Sequence, residues 1–99
     1  MAPNSRTIRL TDRARMDLEE IWIYTLEKWS AARADTYYRD LVAYFDSLAV
    51  GSKIGITTEV RAGYRKAFCG SHVIYHVISD HHIDIIRILH KRMDVDQHL

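Results

Sequence analysis

The chain has 99 residues, of which 47% are hydrophobic and 27% charged, with a formal net charge of +1. That length supports one core and not two, so a single domain over residues 1–99 is expected, and the composition is that of a globular and not a disordered chain. A near-neutral total argues against binding nucleic acid by bulk charge, and the single cysteine, Cys69, excludes an intramolecular disulfide; with no apolar run near the ~20 residues of a membrane span and no hydrophobic signal in Met1-Ala2-Pro3-Asn4-Ser5-Arg6, the expectation is a cytoplasmic protein without membrane association.

Thr7-Ile8-Arg9-Leu10 alternates polar and apolar residues, which predicts a short strand. Thr11 or Asp12 can cap a helix after it. Between Ala14 and Trp29 the residues Ala14, Leu18, Ile21, Trp22, Thr25 and Trp29 recur at helical spacing and predict the buried stripe, with Asp17, Glu19, Glu20 and Glu27 around the rest. Met16 and Ile23 stand opposite that stripe among the glutamates, with Leu26 on the flank. This face is a candidate apolar docking surface on an acidic background.

Ser30 is a good N-cap for a second helix, with Ala34, Tyr38, Leu41, Phe45 and Leu48 as its stripe, Tyr37, Val42 and Ala49 as flanks, and Gly51 as its stop. So little sequence separates the two helices that they must form an antiparallel hairpin. Their tryptophans and tyrosines are expected mainly in the core. Residues 51–63 lack periodicity and predict a surface loop.

Three strands follow: Tyr64 to Phe68, His72 to Ser79 and Ile83 to His90, joined through Gly70-Ser71 and Asp80-His81 as an antiparallel meander. The last is apolar on both faces, as an interior strand is. The order β-α-α-β-β-β predicts an α+β fold, an antiparallel sheet packed on one face by the helical hairpin and free on the other for a partner. From Arg61 to Met93 the cations Arg61, Arg65, Lys66, Arg87, Lys91 and Arg92 face only Asp80 and Asp84, so this region is expected to be locally positive.

The six histidines do not predict a metal site. His72 and His76 share a strand face but lie four residues apart, about 13 Å at strand rise, too far to ligate one ion, and His81-His82 has no cysteine or carboxylate cluster beside it. No cofactor is expected. Cys69 reads as a small hydrophobe and not a nucleophile. A metal-free ribonuclease would need an acid or base together with cations on a developing phosphorane, and Arg65, Lys66, Arg87 and His90 are available. Arg87 and His90, however, are three apart on one strand and point to opposite faces unless the strand ends or bulges near Leu89. The plainer reading makes Arg87 a half-buried cation satisfied by Asp84 or Asp94, with His90 capping the sheet edge.

Three stretches carry a resemblance: Gly63-Tyr64-Arg65-Lys66, Gly70-Ser71-His72-Val73-Ile74-Tyr75, and Ile86-Arg87-Ile88-Leu89-His90-Lys91-Arg92-Met93-Asp94, with His98-Leu99 closing the chain. In these, and in element order over nearly its whole length, the sequence resembles the ParE branch of the RelE/ParE toxins of bacterial type II toxin-antitoxin systems. The resemblance implies a toxin neutralised by a small ParD-like antitoxin whose C-terminal segment wraps its helices and sheet, in a hetero-oligomer that meets operator DNA only through the antitoxin. It implies growth arrest through inhibition of DNA gyrase without RNA cleavage, and so a non-enzyme. The alternative is the ribosome-dependent mRNA endonuclease activity of RelE-like relatives, for which Arg65, Arg87 and His90 would be catalytic; Lys91-Arg92 follows His90 here, where some of those relatives place an aromatic. On these expectations Met16, Ile23, Leu26 and Tyr75 contact the antitoxin, and Arg87, His90, Lys91 and Arg92 contact the target.

Overall fold

The computed structural model describes residues 5–93 and 95–99. Strand β1, Thr7–Leu10, leads into helix α1, Asp12–Lys28, whose N-cap Thr11 accepts a hydrogen bond from the Ala14 amide through its side chain at 3.0 Å. That bond satisfies one of the amides every helix start leaves without a partner. Trp29 and Ser30 alone separate α1 from α2, Ala31–Val50, and the Ser30 hydroxyl accepts from the Arg33 amide at 3.1 Å. Gly51 ends α2 in the left-handed region, φ 82°, where a Cβ is strained.

The sheet follows: β2, Ile56–Thr57; β3, Arg65–Cys69; β4, His72–Ile78; and β5, His82–His90. Its order is β1-β5-β4-β3-β2. The β3-β4-β5 meander is antiparallel as expected, and β5 is interior. β1 joins β5 in parallel, making the whole sheet mixed. The stretch expected as loop also contains the two-residue β2, antiparallel to β3.

The helical hairpin covers one sheet face. Ala14, Leu18, Leu41, Phe45 and Leu48 from the helices pack on Ala67, Ile74, Ile83, Ile85 and Ile88 from the strands. The expectation that the hairpin aromatics are mainly core fails in part: Trp29 is 63% exposed, and Tyr24 and Tyr38 also face outward. On α2 the stripe runs through Ala34, Tyr37, Leu41, Phe45 and Leu48, so Tyr37 takes the place expected for Tyr38. Trp29 lies beyond the last helical residue, where its backbone has left helical geometry.

The opposite sheet face is not free. After β5 the chain turns back, with the Lys91 amide on the Ser71 carbonyl at 3.0 Å and the Met93 amide on that of His90 at 2.9 Å. It then forms a single helical turn, α3, Val95–His98. Val95 and Leu99 pack over Val73, Tyr75 and Leu89.

One irregularity decides what β5 presents. Tyr75 pairs with Arg87 and His76 with Ile85, which leaves Ile86 as an extra residue, a β-bulge. Ile83 and Ile85 before it and Ile88 after it all face the helices. A regular strand would have turned Arg87 into that core; the bulge turns it out.

Candidate functional site

Arg87 is only 9% exposed and lies at the edge of β5 where β1 has stopped. Its Nε and Nη2 donate to the two carboxylate oxygens of Asp17 on α1 at 2.8 and 3.0 Å, a side-on bidentate pair. The same carboxylate accepts the Ile88 amide at 2.9 Å, a donor that has no strand beside it. The third guanidinium nitrogen, Nη1, donates to the His98 carbonyl at 2.9 Å. The hydrogen bonds to Asp17 hold the guanidinium proton more firmly than in a free arginine, against the opposing cost of burial. The partner is therefore Asp17. Asp84 is engaged by Arg9 at 2.7 Å instead, and Asp94 lies outside the described residues.

The three residues of a would-be nuclease set do not converge. Arg65 pairs across the sheet with His76, and its Nη1 reaches the Gly55 carbonyl at 3.3 Å. His90 pairs with His72, four residues further along β4, or roughly 13 Å at strand rise. Arg87 points to the other face, because β5 is regular from Arg87 to His90 and the bulge falls at Ile86, not near Leu89. No single phosphate can touch all three.

His90 belongs to a separate cluster. Its Nδ1 accepts the Arg92 amide at 3.1 Å, and its ring meets His72 edge-on at 5.4 Å. His72 Nδ1 lies 2.7 Å from the Tyr37 hydroxyl, which also bonds the Cys69 carbonyl and the Ser71 amide. Burial, with repulsion from His90 added, lowers the pKa of His72 to about 4, so it is neutral at neutral pH. The cluster opens on a cleft of about 390 Å³ lined by Glu20, Ile21, Tyr24, Ile88 and Met93. Its polar groups tie α2 to the end of the sheet. Among the described residues no three histidine, cysteine or acidic side chains are placed to hold a metal ion. Burial raises the pKa of the Cys69 thiol, as suits a packing residue.

The expected partner surfaces divide. Met16 and Ile23 are 53% and 50% exposed on α1, and Leu26 is exposed beside them. Arg15, Leu18, Glu19, Trp22, Ile23 and Tyr38 line an adjoining groove, at whose edge Trp22 donates to Asp35 at 3.1 Å. Tyr24, Trp29 and Tyr38 enlarge the apolar surface beyond the expected residues. Tyr75 is covered by the chain's own Val95 and Leu99, and so is not open to an antitoxin in this conformation. Lys91 and Arg92 are exposed; Arg87, fully engaged inside, is not placed to contact a target directly.

Asp17 is the important residue that the sequence pattern did not single out. The spacing held a signal: positions 14, 17, 18 and 21 lie on one helical stripe, and a carboxylate inside such a stripe requires a buried cation.

The fold, a helical hairpin on a small sheet, is shared with chains of solved toxin-antitoxin structures. It matches a chain of the chromosomal ParDE toxin-antitoxin system of P. aeruginosa at a TM-score of 0.74 and 19% identity, covering 88% of this chain and 97% of that one. It also matches one from the E. coli DinJ-YafQ toxin-antitoxin complex at 0.60 and 12%, covering 87% and 92%. At those identities the likeness shows the fold alone.

Sequence narrows the class. The model of the ParE toxin of the type II toxin-antitoxin system parDE matches residues 8–95. Toxin ParE1 of Mycobacterium tuberculosis is 42% identical over 92 residues, spanning 91% of this chain and 94% of its own length. Toxin ParE1 of Caulobacter vibrioides is 38% identical over 92 residues, spanning 92% and 95%. The chain belongs to the ParE toxin family of type II toxin-antitoxin systems, within the RelE/ParE superfamily. No helix among the described residues is long and apolar enough to cross a membrane.

Proposed function

We propose that this protein arrests growth by binding DNA gyrase, and that a ParD-like antitoxin neutralises it in a cytoplasmic hetero-oligomer that meets operator DNA only through the antitoxin. The observation that carries the reading is the engagement of Arg87 by Asp17 and the His98 carbonyl. With Arg87 occupied and Arg65 and His90 far apart on the sheet, these three residues do not share one phosphate position, as cleavage by that set would require. Family membership supports the toxin role. The fold likeness to a chain of the chromosomal ParDE system of P. aeruginosa supports the choice of antitoxin class.

On this reading the antitoxin takes the outward face of α1, Met16, Ile23 and Leu26, where exposed apolar side chains stand among Glu19, Glu20 and Glu27. The target is met by the exposed Lys91 and Arg92 beside His90. The deciding experiment runs gyrase supercoiling beside ribosome-dependent RNA cleavage with the same purified protein. Inhibited supercoiling with intact messenger RNA is expected; full supercoiling at molar excess of toxin would sink the proposal. Arg92→Ala should weaken gyrase inhibition and leave antitoxin affinity unchanged.

A further inference from the structure

Helix α3 is too short to hold itself in place. One turn of four residues lies far below the length at which a helix is stable in water, and the segment closes on itself through the Leu99 amide and the Val95 carbonyl at 3.0 Å. Its position comes from outside. Val95 and Leu99 sit on Val73, Tyr75 and Leu89; Arg87 Nη1 donates to the His98 carbonyl at 2.9 Å and Arg61 Nη2 to that of Leu99 at 3.3 Å.

The two arginines are not equivalent. Arg61 is exposed and stacks loosely over Tyr64, 5.7 Å from the ring centroid. Arg87 is buried, and Asp17 holds its Nε and Nη2 together, which fixes the plane of the guanidinium and thereby the direction of Nη1. We infer that residues 95–99 form a releasable strap over the outer face of the sheet, latched by Asp17 of α1 acting through Arg87.

Breaking the bidentate pair returns rotamer freedom to Arg87 and loosens the shorter of the two arginine bonds to the strap's carbonyls. With the strap lifted, Val73, Tyr75 and Leu89 become continuous with Phe68, which pairs with Val73 and is already half exposed. The uncovered strip is rimmed by Lys66, Arg61 and Arg87. Asp17 follows Met16 directly, so a displacement of the first turns of α1 is felt at the far side of the sheet. Asp17 and Arg87 are positioning residues in this scheme. The inference does not depend on the gyrase reading or on any partner.

The test uses the full chain and hydrogen exchange at the Leu99 amide, with methyl NOEs from Val95 and Leu99 to the Tyr75 ring as a second readout. Asp17→Asn keeps an acceptor for the Ile88 amide, and Arg87→Lys keeps the charge; each removes the fork. Both should speed exchange at Leu99 by about tenfold, the scale of one hydrogen bond to a charged group, and weaken the NOEs, while the methyl shifts of Ile74, Ile83 and Ile85 stay in place. Wild-type exchange and NOEs in either folded variant would overturn the latch. Arg61→Ala, a change at an exposed side chain that spares the core, gives a check should those two fail to fold. An effect on Leu99 of about twofold or less supports Arg87 as the latch; a tenfold effect assigns that role to Arg61 and overturns the proposal.

Discussion

From Ile83 to Ile85, β5 lies between two strands, with β1 on one side and β4 on the other. From Ile86 to His90 β4 remains, but β1 has ended, and side chains and a helix start occupy its place. The Thr11 amide reaches the Ile85 carbonyl at 3.1 Å, the Thr11 hydroxyl the Ile86 carbonyl at 2.8 Å, and the Asp17 carboxylate takes the Ile88 amide. A strand partner supplies a repeating ladder that tolerates most side chains. A side-chain partner supplies one bond per residue and depends on those residues being Thr and Asp. The second half of the strand is thereby tied to α1 specifically, and it carries Arg87, His90 and the root of the tail.

The contrast can be broken at several strengths. Asp17→Ala should cost about 3–5 kcal/mol, because it leaves a buried guanidinium and a strand amide without acceptors; urea denaturation measures the loss. In the first half, Ile83→Ala should cost a comparable 2–5 kcal/mol or so, but by opening a cavity, and Leu99 exchange should report only the Asp17 change. Acid tests the far end of the second half through His72, whose pKa falls from 6.5 to about 4 on folding. A histidine charged in the unfolded chain and neutral in the native one adds stability fully above pH 6.5, and that stability is lost as pH falls toward 4. Allowing for partial solvent screening, the loss is about 1–2 kcal/mol, and His72→Asn should abolish that slope in thermal melts recorded across the range. Thr11→Ala removes both the helix cap and the bond to the bulge carbonyl and should cost about 1–2 kcal/mol, read from the shift in melting temperature. Ile23→Asp should leave stability within about 0.5 kcal/mol while weakening antitoxin binding in titration calorimetry; unchanged affinity would move the antitoxin off this face.

Much of this arrangement was legible in the residues. Helix caps at Thr11 and Ser30, the hairpin, the meander and the interior place of β5 all follow from local patterns, since capping, periodicity and turn chemistry act over a few residues. The parallel pairing of β1 was hidden because partners 75 residues apart leave no local mark. The bulge at Ile86 was hidden because a run of isoleucines reads alike on either face. Arg87 was recognised as important, yet its partner was sought among nearby carboxylates, Asp84 and Asp94, and lies at Asp17 on another element. The outer face was expected to be open because Val95 and Leu99 are too few to announce a packing element.

The extra residue at Ile86 sets the phase of everything downstream of it. A chain lacking that one residue would run regularly from Ile85 to Arg87 and keep Arg87 and Leu89 on the outer face, whereas a chain that kept Ile86 but straightened the bulge would bring Arg87 into phase with Ile83 and Ile85 and turn it toward the helical layer. Length variation within this strand is therefore not equivalent from place to place: losing the bulged residue leaves inside and outside as they are, while losing one residue after it exchanges them for the rest of the strand.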